Sequence, residues 1–428
     1  MPRYTRKRGG WVEGSANAGK TDLIEFHNRY MQRALDAVPG VLATSEQVPQ
    51  GPGITNSLLI IDMQPDFANP DGAFSVADGL KLIPDLNAFI DANSTKFTKI
   101  VFSRDIHDVN HCSFFGAGGP DTGRKGPFPP HCIINSTGAT IMPDLQKYKA
   151  LPNASVIFKG MHPDVDSFGA EEYPNDSYSV SRQMGPECCA GKADGTLSSC
   201  SDATGGRYLA DPSKGFDDVP FTPSEANTYA QIESQLGNKF SINDLIAAGS
   251  TEHNVFIVGL AGDFCCKDTA MNIAKLTAAG KTKGVKVNVY VIQSLMRYVF
   301  LPLHISPTKL EESVVRESNP NKPLHNYIFK RDYVAGTTRL LTPAELSALK
   351  FTKNASNNTN TAYINKNGAY SHFTNDPSVI LRDYASVGVK MLMTPPDMTN
   401  AQEGSVPSSG GRRRKTMRRR RVSRRRKH

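Results

Sequence analysis

Four short apolar runs in this 428-residue chain each end on residues able to do chemistry. The first ends in Asp62, inside Asp62-Met63-Gln64-Pro65-Asp66-Phe67. The second runs into Asp105-Ile106-His107-Asp108-Val109-Asn110-His111, and the third into Lys159-Gly160. The fourth continues as Gly259-Leu260-Ala261-Gly262-Asp263-Phe264-Cys265, where a helix begins. A cysteine at a helix N-terminus has its pKa lowered, and a nearby lysine lowers it further. A carboxylate in reach takes the thiol proton. Asp62, Lys159 and Cys265 therefore make a base, an electrostatic partner and a nucleophile. Asp105 and His107, with His111 four residues on, are ligands suited to a divalent metal, and His131 in Phe128-Pro129-Pro130-His131-Cys132 closes that site.

Taken singly, each residue has an ordinary reading as well. Asp62 caps a turn, Cys265 is a small buried hydrophobe, Lys159 is a solvated charge, and Asp105 and His107 are loop polars. Spacing alone leaves both readings open.

The elements that must position these groups read as an α/β domain. Apolar, β-branched runs at 57–62, 99–103, 155–158, 255–260, 285–292 and 389–393 are strand-sized, and their continuous character suits strands covered on both faces. Helical patterns fill 80–93, 267–279 and 377–388, the second with Ala270, Ile273, Ala274 and Thr277 on one face and Gly280 as its stop. Strands alternating with helices predict a parallel sheet, whose reactive groups gather beyond the strands' carboxyl ends. Two polar stretches, near 171–250 and 306–376, are too long for ordinary connections and read as surface insertions.

The motifs Asp62-Met63-Gln64-x-Asp66-Phe67, Arg104-Asp105-x-His107-x3-His111-x-Ser113-Phe114, Pro129-x-His131-Cys132, Phe158-Lys159-Gly160 and Gly259-Leu260-Ala261-x-Asp263-x-Cys265 resemble the isochorismatase-like cysteine hydrolases. Within that superfamily they are similar to the nicotinamidase, pyrazinamidase-type amidases. The resemblance covers about 55–170, 250–304 and 377–394, in the right order.

It implies a six-stranded parallel sheet with helices on both faces, Cys265 as nucleophile, Asp62 as general base and Lys159 as electrostatic partner. It also implies an oxyanion hole from the N–H groups of Ala261 and Cys265, a cis peptide between Leu260 and Ala261, and Phe67 and Phe128 as pocket walls. Asp105, His107 and His131 map onto metal ligands, with His111 a fourth ligand in some members. The implied metal is zinc, with iron or manganese as alternatives, and the implied substrate is nicotinamide, hydrolysed to nicotinate and ammonia through a thioester. Phe128 stands in place of a usual tryptophan, Gly262 of a common threonine, and Cys266 of a common valine. These departures bear on substrate breadth more than on the reaction.

Formal net charge is +9, yet 411–428 holds twelve Lys/Arg and no acid, and Arg3, Arg6, Lys7 and Arg8 hold four more. Without those sixteen cations the body carries −7. Such a tail cannot bury a core and reads as disordered, with a polyanion such as nucleic acid as its partner. Appended Gly-Arg-Arg tails resemble those on proteins of large DNA viruses, so nuclear or virion association joins the expectations.

Seven scattered cysteines argue for a reducing, intracellular compartment, and the basic N-terminus lacks the apolar core of a secretory signal. No run approaches the roughly 20 apolar residues of a membrane helix. The expected organisation is an N-terminal extension over 1–52, a hydrolase domain over 53–395 and the tail over 396–428; a homo-oligomer is compatible with it. Two rival readings remain: a related amidase with another substrate, and a polyanion-binding structural protein that keeps the enzyme fold.

Overall fold

Runs of leucine and β-branched residues cannot leave one face in water, so strands built from them end up sandwiched between layers. Leu58, Leu59, Ile60, Val255, Phe256, Ile257 and Val258 are fully buried, each worth about 1.5–3 kcal/mol of transfer free energy. A computed structural model describes residues 31–32, 35–36, 38–76, 78–109, 111, 114, 130–161, 168–172, 208–209, 239–298, 303–304, 339–340, 350–353, 360–365, 369–373 and 377–403.

In chain order the elements are β1 (Leu42–Ala43), β2 (Ile54–Ile61), α1 (Pro65–Ala68), α2 (Ile83–Asn93), β3 (Lys99–Asp105), β4 (Ala154–Lys159) and β5 (Tyr208–Leu209). Then come β6 (Glu252–Gly259), α3 (Cys265–Ala278), β7 (Lys286–Met296), β8 (Leu303–His304), β9 (Arg339–Leu340), β10 (Lys350–Lys353), β11 (Asn360–Asn365), β12 (Ala369–Phe373), α4 (Pro377–Val387) and β13 (Lys390–Leu392). The main sheet has the order β1-β13-β7-β6-β2-β3-β4-β5. Its six middle strands are parallel and coincide with the six runs read from sequence. The two extra strands are two-residue edges, β1 parallel to β13 and β5 antiparallel to β4, too short to carry a periodic signal. The second polar stretch holds an antiparallel meander, β10-β11-β12.

The topology has one functional consequence. From β2 the chain winds outward to β3 and β4, then crosses back to β6 and winds the other way to β7 and β13. The reversal lies between β2 and β6, and ligand sites in open α/β sheets form outside the carboxyl ends at such a point. Helix α3 starts there. It ends in a Schellman arrangement, with Gly280 at φ +70°, its N–H donating to the Thr277 carbonyl, and the Lys281 N–H donating to that of Leu276. Lys267 of α3 pairs with Asp383 of α4 at 2.7 Å, tying the two helices together.

Candidate active site

Neighbouring strand ends bring the charged groups together. Asp105 and Lys159 are register partners on β3 and β4, so their side chains leave the sheet side by side. The Lys159 ammonium, with no exposed surface, lies 2.9 Å from Asp62 Oδ2 and 3.0 Å from Asp105 Oδ1. Asp62 follows β2 with φ +46°, a left-handed turn that directs its carboxylate back over the sheet end. Ser103 holds it there: its hydroxyl donates to Asp62 Oδ1 at 2.6 Å and accepts the Asp62 N–H at 3.0 Å. Gln64 clamps the neighbouring strand, accepting the Asp105 N–H at 2.7 Å and donating to the Asp105 carbonyl at 2.8 Å.

Cys265 is the first residue of α3, and its Sγ lies 3.7 Å from the Lys159 ammonium. The Leu260–Ala261 peptide is cis. The Phe264 and Cys266 N–H groups both donate to the Ala261 carbonyl, whereas among the described residues the N–H groups of Ala261 and Cys265 meet no acceptor.

Burial pushes the Cys265 thiol well above its ordinary pKa, and the charges of Asp62 and Asp105 add to this against the pull of Lys159. The sequence expectation of a lowered thiol pKa is therefore corrected. Desolvation outweighs the one lysine, which is already shared between two carboxylates. The same burial raises the Asp62 carboxyl despite Lys159. For Lys159 burial pulls downward, but Asp105 and Asp62 overcome it and hold the ammonium charged. A thiol hydrogen-bonded to a carboxylate of raised basicity, beside a fixed cation, is a proton-transfer pair.

One ligand atom each from Asp105, His107 and His131 lies within 4.8 Å of the others, and all three residues are buried. His107 Nδ1 is 2.7 Å from the Gly160 carbonyl, which can only accept, so that nitrogen carries a hydrogen. Nε2 then directs its lone pair at Asp105 Oδ2, 2.9 Å away. Two lone pairs at that distance need a proton or a cation between them, and a divalent metal fits. Gly160 permits the arrangement: at φ +70° an added Cβ would sit 2.4 Å from Asp105 Oδ1 and 2.7 Å from His107 Cε1. His111 stays outside this group and lies against the His107 ring, with centroids 4.1 Å apart. Phe128 lies outside the described residues.

Above these groups opens a cleft of about 380 Å³, counting its mouth. Asp105, His131 and Cys265 supply its polar floor, and Phe67, Phe74, Phe168, Phe264, Val76 and Leu260 its walls. An apolar slot with a few convergent polar groups suits a flat ring bearing one reactive substituent.

Residues 56–168 match the model of the isochorismatase domain. Over 122 residues it is 34% identical to the nicotinamidase of Escherichia coli K12, an alignment covering 27% of this chain and 55% of that protein. Over 124 residues it is 33% identical to the nicotinamidase of Acinetobacter baylyi, covering 27% and 54%. The chain thus spans about half the length of the curated relatives it matches. Among solved structures, PnC1 from L. infantum in complex with nicotinate is 24% identical, covering 59% of this chain and 85% of that one at a TM-score of 0.35. The zinc complex of pyrazinamidase from Pyrococcus horikoshii is 23% identical, covering 61% and 93% at 0.30.

Several residues that shape this site are not evident from sequence. Ser103 and Gln64 act through buried hydrogen bonds between strands and leave no periodic mark. Phe74, Phe168 and Phe264 are single aromatics outside the helices and strands. Asp66 belongs to the first motif, yet its type and spacing point to no role of its own. In the fold its carboxylate accepts the Cys132 N–H at 2.7 Å and the Ala73 N–H at 3.3 Å. It thereby anchors the segments that carry His131 and Phe74.

Proposed function

We propose that the chain is an amidohydrolase converting nicotinamide to nicotinate and ammonia. The observation that carries this reading is the buried Asp62–Lys159–Cys265 group beside Asp105, His107 and His131 at the floor of an aromatic-walled cleft. Domain and relatives support it. Asp105, His107 and His131 would hold a divalent metal, with zinc favoured by the two imidazoles and one carboxylate and iron or manganese as alternatives. When bound, the metal supplies a Lewis-acidic anchor for a ring nitrogen.

The chain's own residues carry the bond changes. Asp62 takes the Cys265 proton as sulfur attacks the carboxamide carbon, so a thiolate never has to persist in a buried site. The N–H groups of Ala261 and Cys265, which meet no acceptor among the described residues, would receive the developing oxyanion, and such donors are worth about 10²–10³-fold in kcat. Asp62 returns the proton to the departing amine, leaving a thioester on Cys265 and free ammonia. Water then attacks the thioester with Asp62 again as base; the C–S bond breaks, nicotinate leaves, and Asp62 passes the water's proton back to the Cys265 sulfur. Lys159 favours the ionised form of Asp62 before each proton transfer and holds its carboxylate oriented throughout.

Purified protein incubated with nicotinamide should release ammonia and nicotinate in equal amounts. Chelation, or His107→Ala, should abolish or greatly weaken that release. Full turnover in metal-free protein would remove the ligand assignment, and no ammonia from nicotinamide, with release from another amide, would favour the related amidase. For the basic tail over 411–428, outside the described residues, we propose polyanion binding independent of the active site.

A further inference from the structure

The last residues of β7 and those just after it grip the turn that carries the nucleophile. The Gly262 N–H donates to the Arg297 carbonyl at 2.7 Å, and the Arg297 N–H reaches the Gly259 carbonyl at 3.4 Å. Tyr298, buried at 4% exposure, lays its ring directly on Gly262: a Cβ built there would fall 2.6 Å from Cε1 and 2.7 Å from Cζ. The Tyr298 hydroxyl donates to Gln293 Oε1 within β7. The ring thus occupies the volume that a side chain at 262 would take, and it is tethered at its far end.

We propose that Tyr298 is a positioning residue for the nucleophile turn, packing on Gly262 to hold the Ala261 and Cys265 N–H groups and the Cys265 sulfur in register with Asp62 and Lys159. This deepens the proposed function and rests on it for the substrate. The physical reason is that 261–265 is an irregular segment between a strand and a helix, whose Ala261 and Cys265 N–H groups meet no acceptor among the described residues. Such a segment keeps its shape only if something outside it fixes it. Groups that stabilise developing charge act on the transition state rather than on the bound ring, so displacing them should lower kcat while leaving KM nearly constant.

The test is a double-variant cycle of Gly262→Thr, Tyr298→Leu and both together, measuring kcat, KM, thermal midpoint and the iodoacetamide alkylation rate of Cys265. Gly262→Thr should lower kcat about 100-fold, the effect of a displacement of about 1 Å. Tyr298→Leu should lower it less. In the double variant the smaller leucine makes room for threonine, and kcat should recover about 10-fold over Gly262→Thr, within the coupling range of contacting residues. Should Gly262→Thr fail to fold, Gly262→Ala, which adds only the Cβ, replaces it. Additive losses, or a loss carried by KM with kcat intact, would overturn the proposal. If the parent protein releases no ammonia from nicotinamide, the substrate reading fails by itself. The alkylation rates must still be non-additive for the packing argument to stand.

Discussion

The two ends of the same sheet bury polar groups in opposite ways. At the amino ends of the strands the groups are neutral and satisfy one another. Asn288 donates to Asn254 and Asn254 to Asn56, each at 2.9 Å, in a ladder across β7, β6 and β2. His253 is held between Thr55 at 2.7 Å and Ser57 at 2.9 Å, and burial pulls its pKa down to about 3, so it stays uncharged. At the carboxyl ends the groups are ions: two carboxylates and one ammonium, all buried, leave one negative charge without an equal partner. Buried dipoles can close their hydrogen bonds with no net charge, whereas buried ions need a further cation or a proton to move. One end is therefore built for rigidity, the other for chemistry.

The sharpest break in that contrast is at the nucleophile. Cys265→Ala should abolish ammonia release, a loss on the order of 10⁶-fold if this nucleophile behaves like others acting within a catalytic unit, with the thermal midpoint unchanged. Cys266→Ala should keep most activity, because the next helical residue points about 100° away. The opposite pattern would place the nucleophile at the wrong cysteine.

Lys159→Met strips the ionic end of its cation and leaves two buried carboxylates facing each other. Denaturant unfolding at pH 7 should show a loss of about 3–5 kcal/mol alongside lost turnover. A stability change near zero would mean that the carboxylates are already neutralised by protons.

At the neutral end the probe is pH. The folded pKa of His253, about 3, lies below the ordinary value of 6.5, so the unfolded chain binds the proton more readily. Its contribution to stability is complete above pH 6.5 and declines as pH falls toward 3, by about 1.4 kcal/mol per unit. Unfolding measured at pH 7 and pH 5 should show this loss in the parent protein and a shallower one in His253→Gln. Equal slopes would place the titration elsewhere.

The smallest effect on turnover is expected from deleting 411–428. Net charge turns from +9 to −3, and binding to duplex DNA should largely vanish while ammonia release stays the same. If half of the twelve cations engage phosphates, the parent's binding should show a log–log salt slope of roughly −5. Salt-insensitive binding would move the polyanion surface onto the acidic body.

Much of this was legible in the order of residues alone. Continuous apolar runs announce covered parallel strands, and the polar residues at their ends stand where such sheets gather reactive groups; that placement makes Asp62, Lys159, Asp105 and Cys265 candidates, and the resemblance of their motifs to a known family assigns them roles. The helix of Cys265 was legible too, from its apolar spacing and from Gly280, whose left-handed φ closes it.

Only the tertiary structure decided the rest. It set the direction in which the cysteine's pKa moves, because desolvation and the sharing of one lysine between two carboxylates are properties of burial and distance rather than of residue type. It separated His111, which the resemblance offers as a fourth ligand in some members, from the three convergent ligand atoms. It supplied Ser103, Gln64 and Asp66 as supports and the phenylalanines as walls, since hydrogen bonds and packing between distant segments leave no local period to read. And it set Tyr298 on Gly262: a glycine in a turn looks the same in sequence whether open space or a buried ring lies where its side chain would be.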